Sequence, residues 1–179
     1  MKNLALVVID VQNALVHGNP YKKDIMIQNI QTLIHAARKQ DIEVIYVRHD
    51  DGVGSEFEVD TESWQIHKAV SPKEDEKVVD KQFNSAFHKT ELDAYLKTQG
   101  HQNLIITGMQ TEFCIDATVR SAFDLGYKIY IPDEAHSSFD NPHMKADNLI
   151  EYYNQYMWHE RYAMVVNMEE AVNLIVSEA

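Results

Sequence analysis

Hydrophobic residues in this chain form two patterns: short uninterrupted runs, and longer segments in which they recur every three or four positions. The first run, Leu4–Ile9, is rich in valine and isoleucine and ends at Asp10. Such runs are typical of parallel strands that are buried on both faces. Further runs predict strands at Glu43–Val47, Val78–Val79 (ending before Lys81), Leu104–Thr107, Tyr127–Ile131 and Ala163–Val166.

The segments between the runs carry helical spacing and signals for helix ends. Thr111 is a predicted N-cap and Gly126 the residue that ends the same helix. Pro142 is expected in the first position of a later helix, and Asn167 has capping-box spacing to Glu170. The predicted helices span about Lys22–Gln40, Thr90–Gln99, Thr111–Leu125, Asn141–Met157 and the residues after Asn167.

Strands that alternate with helices predict an α/β fold with right-handed crossovers. We expect one domain over residues 1–179, with a doubly wound, Rossmann-like and mostly parallel sheet of about six strands and helices on both faces. In the common order of such sheets the first strand lies beside the fourth. Since Asp10 ends the first strand and the fourth leads to Cys114, the two side chains are expected across one crevice.

Cys114 is the only cysteine and lies near the start of the predicted helix after the fourth strand. Free backbone N–H groups and the helix dipole act there, so we expect a thiolate. A lone cysteine is often a small buried hydrophobic residue instead. The strand end is where open α/β sheets bind ligands, which favours a nucleophile.

The charge and composition exclude several classes of partner. There are 28 acidic and 16 basic residues and the net charge is −12, which opposes binding to nucleic acid or to anionic membranes. A single cysteine permits no internal disulfide, which fits a reducing cytoplasm. The first hydrophobic run is too short for a signal peptide or a membrane span. We therefore expect a cytoplasmic protein.

Residues 50–76 are polar and lack a clear period, which predicts a long loop that serves as a lid or as an oligomer contact. Trp64 in this loop either covers a ligand or anchors the loop on the domain. The glycines of the loop lack the spacing of a dinucleotide fingerprint, and no cofactor is expected.

Three segments together resemble one family: IDVQN around Asp10, VVDKQFNSAF around Lys81, and GMQTEFCIDATVRSAFDLGYKIYIPDEA around Cys114. They are similar to the isochorismatase-like cysteine hydrolases, a superfamily that includes nicotinamidases and other hydrolases of small amides. The resemblance covers nearly the whole chain. It implies that Asp10, Lys81 and Cys114 form a catalytic triad.

The resemblance also implies further features of the site. The backbone N–H groups of Gln110 and Cys114 would hold the oxyanion, and the Met109–Gln110 peptide bond would be cis. A small-molecule substrate is expected, and family members commonly form homodimers or homotetramers. The predicted pocket walls include Gln12, Leu15, Trp64, Phe87 and Gln110.

One departure from the family concerns metal binding. Members that hydrolyse nicotinamide usually carry an Asp-x-His element after the second strand, whereas this chain reads RHDDGVGSE, with His49 and Asp51 in the reverse order. No metal is therefore expected, although a weak site near His49 and Asp51 stays open. The leading hypothesis is a metal-free hydrolase that cleaves an amide or lactam through a thioester, within which lactam opening of the streptothricin-hydrolase type is one option. The alternatives are vinyl-ether hydrolysis of the isochorismatase type, nicotinamidase activity, and a redox-sensing or binding protein.

Overall fold

A parallel seven-stranded sheet forms the centre of the computed structural model, which describes residues 3–177. Its main strands follow the order β3-β2-β1-β4-β5-β7, and the short β6 pairs with the end of β4. The strands are β1 Leu4–Ile9, β2 Glu43–His49, β3 Lys77–Lys81, β4 Asn103–Met109, β5 Lys128–Pro132, β6 His136–Ser137 and β7 Met164–Val166.

Within the described residues, five α-helices lie between these strands and a sixth follows the last one. They are α1 Asn13–His17, α2 Lys23–Lys39, α3 Leu92–Gln99, α4 Asp116–Asp124, α5 Ala146–Tyr152 and α6 Met168–Ser177. A 3₁₀ turn spans Lys68–Val70, and π-helical turns span Thr111–Ile115 and Tyr153–Trp158. Among residues 3–177, no helix combines the length and the hydrophobicity needed to cross a membrane.

The alternation of side chains along β1 divides the core into two layers. Leu4, Leu6 and Val8 lie in a cluster with buried residues of α2 and α6. The intervening residues Ala5, Val7 and Ile9 face a second cluster that contains residues of α3 and α4. A strand side chain buried in this way contributes about 1.5–3 kcal/mol to stability. The predicted α/β fold with helices on both faces is confirmed.

The predicted position of β1 beside β4 is also confirmed, and the register aligns the carboxyl ends of four strands. Ile9 is paired with Gly108 of β4 and with Val47 of β2. His49, at the end of β2, is paired with Lys81 of β3. Residues that end these strands therefore meet at one edge of the sheet.

Two strands extend further than their hydrophobic runs. Lys81 is the last residue of β3, because its backbone pairs with His49 although its side chain is charged. Gly108, predicted in a turn, lies within β4 and is flanked by β1 and β6. Neither α1 nor β6 has a signal in the sequence, since both are too short for a periodic pattern.

The predicted helix ends were partly wrong. Asn141 turns the chain with its own side chain, which accepts hydrogen bonds from the backbone of His143 and Met144 (both 2.9 Å), so α5 begins only at Ala146 and Pro142 lies outside it. In contrast, the capping box before α6 is confirmed. The Asn167 backbone donates to the Glu170 carboxylate and the Glu170 backbone donates to Asn167 Oδ1, each at 2.9 Å.

The long segment 50–76 lies across α1 and is hydrogen-bonded to it. Asn13 N donates to Gln65 O (2.9 Å), and His67 N donates to Val11 O (2.8 Å). Trp64 is only 5% exposed, and the Arg48 guanidinium lies 3.5 Å from the centre of its ring. This contact indicates that Trp64 anchors the segment on the domain.

We predict that Gly108→Ala destabilises the fold strongly. A β-carbon at this position would lie 1.9 Å from the carbonyl oxygen of Ile9, and φ is +119°. We expect the free energy of unfolding to fall by about 3 kcal/mol or more. Gly100→Ala is the control, because φ there is also positive, at +79°, but an added β-carbon would meet no atom within 4 Å. This variant should lower the free energy of unfolding by about 1 kcal/mol. Equal losses for the two variants in urea denaturation would contradict the predicted clash.

Candidate active site

The carboxyl edge of the sheet brings Asp10, Lys81 and Cys114 together. Asp10 follows β1, with φ of 50°, and its backbone donates to Val47 O (2.9 Å). Lys81 reaches from the end of β3 past the end of β2. Its Nζ lies 2.6 Å from Asp10 Oδ2 and 3.2 Å from Cys114 Sγ. The ammonium therefore contacts both the carboxylate and the thiol.

This ion pair is removed from solvent. The side chain of Lys81 is 0% exposed and that of Asp10 is 1% exposed. Charges buried to this degree require partners, since an unpaired ion would neutralise or cost several kcal/mol. The third contact of Lys81 Nζ is His49 Nδ1, at 2.9 Å.

Cys114 lies in the π-helical turn Thr111–Ile115 and not in a regular α-helix. Within the turn, the backbone N–H groups of Phe113 and Ile115 both donate to Gln110 O, at 3.2 and 3.1 Å. The Met109–Gln110 peptide bond is cis, as the resemblance implied. Gln110 and Cys114 consequently share one wall of a cavity. Insertions of this π-helical type frequently accompany functional sites.

Thr111, predicted as an N-cap, has another role. Burial lowers the pKa of His136 to about 4, so its ring is neutral. Asn154 Nδ2 donates to the carbonyl of Asp133, so Asn154 Oδ1 accepts from His136 Nε2 (2.9 Å). His136 Nδ1 is then an acceptor for the Thr111 hydroxyl at 2.9 Å. This buried network fixes the turn next to Cys114.

The Cys114 side chain is a protonated thiol at neutral pH. Burial, followed by the neighbouring Asp10 carboxylate, raises the pKa of the thiol to about 12, although Lys81 acts to lower it. The expectation of a thiolate was therefore wrong. The loss of solvent and the nearby negative charge outweigh the opposing effect of the Lys81 ammonium.

The cavity in front of the thiol has a volume of about 120 Å³. A larger groove of about 560 Å³ between β7 and α6 is lined by none of Asp10, Lys81 and Cys114. We therefore assign the candidate site to the smaller cavity. It is lined by Asp10, Leu15, His49, Phe57, Asn84, Gln110, Phe113 and Cys114.

Of the five predicted pocket residues, Leu15 and Gln110 line this cavity. Gln12 is 0% exposed, and its side-chain amide is hydrogen-bonded to the backbone of His49. It therefore supports the site without lining the cavity. Trp64 anchors the loop, and Phe87 stacks on Tyr127 with ring centres 5.6 Å apart.

Sequence reasoning considered His49 only for a weak metal site and missed Phe57, Asn84 and Phe113. His49 ends β2, next to Asp10 at the end of the neighbouring strand, and its position at a strand end is the signal that could have identified it. Phe57, Asn84 and Phe113 carry no comparable signal, because their approach depends on loop conformation.

A divalent metal does not fit this site. Ligand-type atoms of Asp10, His49 and Cys114 lie within 4.8 Å of one another, the one such group within residues 3–177. The Lys81 ammonium, however, lies within hydrogen-bonding distance of all three residues. A metal ion would be placed against this buried positive charge. His49 Nε2 instead lies 3.2 Å from Asp51 Oδ1, so the two residues pair with each other.

Comparisons with known proteins place the chain in a family. The family model of the isochorismatase domain matches residues 4–160. Streptothricin hydrolase from Streptomyces noursei is 32% identical over 140 residues, which cover 77% of this chain and 51% of that protein. The chain thus spans about half the length of that relative. Nicotinamidase 3 from Arabidopsis thaliana is 30% identical over 154 residues, which cover 78% and 75% of the two chains.

A solved structure supports the same assignment. An isochorismatase from Pseudomonas putida KT2440 superposes with a TM-score of 0.90 at 27% identity, over 94% of this chain and 90% of the other. The residues that the family model matches, 4–160, include Asp10, Lys81 and Cys114. The chain therefore belongs to the isochorismatase family of hydrolases.

Proposed function

We propose that this protein hydrolyses a C–N bond, in an amide or a lactam, of a small molecule, with Cys114 as the nucleophile. The observation that carries the proposal is the buried Lys81 ammonium in contact with both the Asp10 carboxylate and the Cys114 thiol. A nucleophile, a base and a group that orients both are the parts required for covalent catalysis. They meet at a cavity that admits a small substrate.

The first half-reaction forms a thioester. Asp10 takes the thiol proton as Cys114 Sγ attacks the carbonyl carbon, and a tetrahedral oxyanion forms. The backbone N–H groups of Gln110 and Cys114 stabilise this oxyanion. The C–N bond then breaks, and Asp10 returns the proton to the leaving nitrogen.

The second half-reaction releases the acid. Asp10 takes a proton from water, the resulting hydroxide attacks the thioester, and the C–S bond breaks. The departing sulfur recovers the proton from Asp10, so the enzyme returns to its initial state. Lys81 stays charged throughout and stabilises the negative charge on the carboxylate or on the sulfur.

The raised pKa of Cys114 agrees with this order of events. A thiol that remains protonated at neutral pH needs a base at the moment of attack, and Asp10 is the carboxylate beside it. A general base of this kind contributes a rate factor of roughly 10²–10⁴.

The lining of the cavity favours a neutral substrate. Leu15, Phe57 and Phe113 contribute apolar surface and Asn84 an amide, and neither arginine nor lysine lines the cavity. Isochorismate carries two carboxylates that would remain unpaired there. An amide is neutral, and one relative, nicotinamidase 3, bears a name that denotes hydrolysis of an amide.

The test is a screen of purified protein against small amides, lactams and isochorismate, with and without chelator. We expect ammonia or amine release from at least one neutral amide or lactam, unchanged by chelation and abolished in Cys114→Ala. Turnover of isochorismate alone would overturn the proposal. So would an activity that requires a stoichiometric metal, or a thiol that reacts with peroxide while no amide is turned over.

We predict that iodoacetamide modifies native Cys114 more slowly than free cysteine at pH 8. The pKa of the thiol is raised to about 12, so the thiolate fraction at pH 8 is small and the rate should increase with pH well beyond 9. Because Cys114 is the only cysteine, intact-mass measurement reports this thiol alone. The protein unfolded in urea is the control and should react like free cysteine. A native rate that levels off below pH 8 would contradict the raised pKa.

We predict that Asp10 and Lys81 act as one unit in acylation. Asp10→Asn keeps the shape but removes the base, so single-turnover acylation should fall by roughly 10²–10⁴. Lys81→Ala removes the counter-ion of the carboxylate and should reduce acylation more than substrate binding. The double variant should be little worse than the poorer single variant.

The matched control for these variants is Lys22→Ala. It breaks an exposed ion pair, Lys22 Nζ to Glu134 Oε1 at 3.0 Å, and should leave acylation unchanged. If the reductions in acylation rate of the two single variants multiply in the Asp10→Asn, Lys81→Ala double variant, the two residues act independently.

A further inference from the structure

The Lys81 ammonium has three N–H donors, and each has a partner from a different part of the fold. Asp10 follows β1 and Cys114 lies in the turn after β4, at 2.6 and 3.2 Å from Nζ. The third partner is His49 at the end of β2, whose Nδ1 lies 2.9 Å from Nζ. An ammonium donates three hydrogen bonds and accepts none, so His49 Nδ1 must be the acceptor.

This requirement fixes the tautomer of His49. If Nδ1 accepts from Lys81, the imidazole is neutral and its proton resides on Nε2. Nε2 lies 3.2 Å from Asp51 Oδ1, and a carboxylate is the acceptor that such a proton needs. The chain of contacts therefore runs from Asp51 through His49 to Lys81.

The backbone and the ring of His49 are held in place from several sides. The Gln12 side chain accepts from His49 N (2.8 Å) and donates to His49 O (3.0 Å). The same amide nitrogen donates to Trp64 O at 2.7 Å, which ties Gln12 to the anchored loop. Phe57 meets the imidazole edge to face, with ring centres 5.4 Å apart, and the His49 side chain is only 12% exposed.

We propose that His49 is a positioning residue that holds the Lys81 ammonium between Asp10 and Cys114, with Asp51 fixing the imidazole tautomer. The proposal rests on the assignment of Cys114 as the nucleophile. The groups that face the thiol are the Asp10 carboxylate, the Lys81 ammonium, the His49 imidazole and, at 3.9 Å from Sγ, Asn84 Oδ1.

The expected consequence of losing His49 follows from burial. Without Nδ1, one N–H of a buried ammonium has no acceptor, and the ammonium gains by moving toward water in the cavity. The positive charge of Lys81 then stabilises a negative charge on Cys114 Sγ less. Since Lys81 opposes the effects that raise the pKa of this thiol, the thiolate becomes harder to form.

Two substitutions separate positioning from packing. His49→Asn keeps an acceptor, because asparagine Oδ1 occupies a position close to that of histidine Nδ1. His49→Leu keeps a similar volume but has no acceptor. The matched control is His67→Leu, since His67 is also a partly buried histidine that accepts at Nδ1, from Ala69 N at 3.3 Å, and it does not line the cavity.

The experiment measures the rate of iodoacetamide alkylation of Cys114 as a function of pH in the wild type and in the three variants. We expect His49→Leu to react about tenfold more slowly at pH 8, which corresponds to one pKa unit. His49→Asn should stay within about threefold of the wild type, and His67→Leu should match it. An unchanged profile in His49→Leu, or a loss in His49→Asn as large as in His49→Leu, would overturn the proposal.

A second measurement needs no variant. Nitrogen NMR of the histidine rings in the wild type should find His49 protonated at Nε2 and free at Nδ1, and a proton on Nδ1 would overturn the proposal even if His49→Leu fails to fold. Neither readout requires turnover. Failure of the amide screen therefore leaves this test intact, and an active amidase with an unchanged alkylation profile rejects the role of His49 alone.

Discussion

The ion pair between Lys81 and Asp10 is the interaction on which the arrangement of the strand ends depends. Both side chains are almost fully buried, and removing one partner of such a pair typically costs about 3–5 kcal/mol. Lys81 ends β3 and Asp10 follows β1, with β2 between them. Their contact requires these strand ends to lie close together along β2, and the register provides this because Ile9 pairs with Val47 and Lys81 with His49.

The same interaction links stability to chemistry. A buried ammonium needs several acceptors, and the ones available here are a carboxylate, an imidazole and a thiol. The side chains that accept hydrogen bonds from Lys81 are therefore also side chains that can transfer protons or attack a carbonyl carbon. The requirement that buried charges be paired brings the reactive side chains to hydrogen-bonding distance, at the carboxyl edge where open α/β sheets bind their ligands.

The sequence allowed good prediction where the signal is local or repeats along the chain. Leu4–Ile9 was identified as a strand with the same bounds, because six buried residues in succession leave few other conformations. The sequence motifs identified Asp10, Lys81 and Cys114 as candidate catalytic residues. The failures have a common physical origin in contacts between distant residues. Thr111 has the chemistry of an N-cap but bonds His136, and Gln12 was assigned to substrate although it supports His49.

The segment after β2 contains two parts that are held differently by the fold. Residues 61–67 are held on α1 and on Val11 by backbone hydrogen bonds, whereas the tip carries Gly52 and Gly54 at φ of 85°, where an added β-carbon would meet no atom within 4 Å. Phe57 extends from this tip into the cavity wall. A substitution of Phe57 would change the shape of the cavity and would also remove the edge-to-face contact with the His49 ring. The cavity wall therefore depends in part on an irregular segment, whereas His49 and Lys81 are positioned by strands.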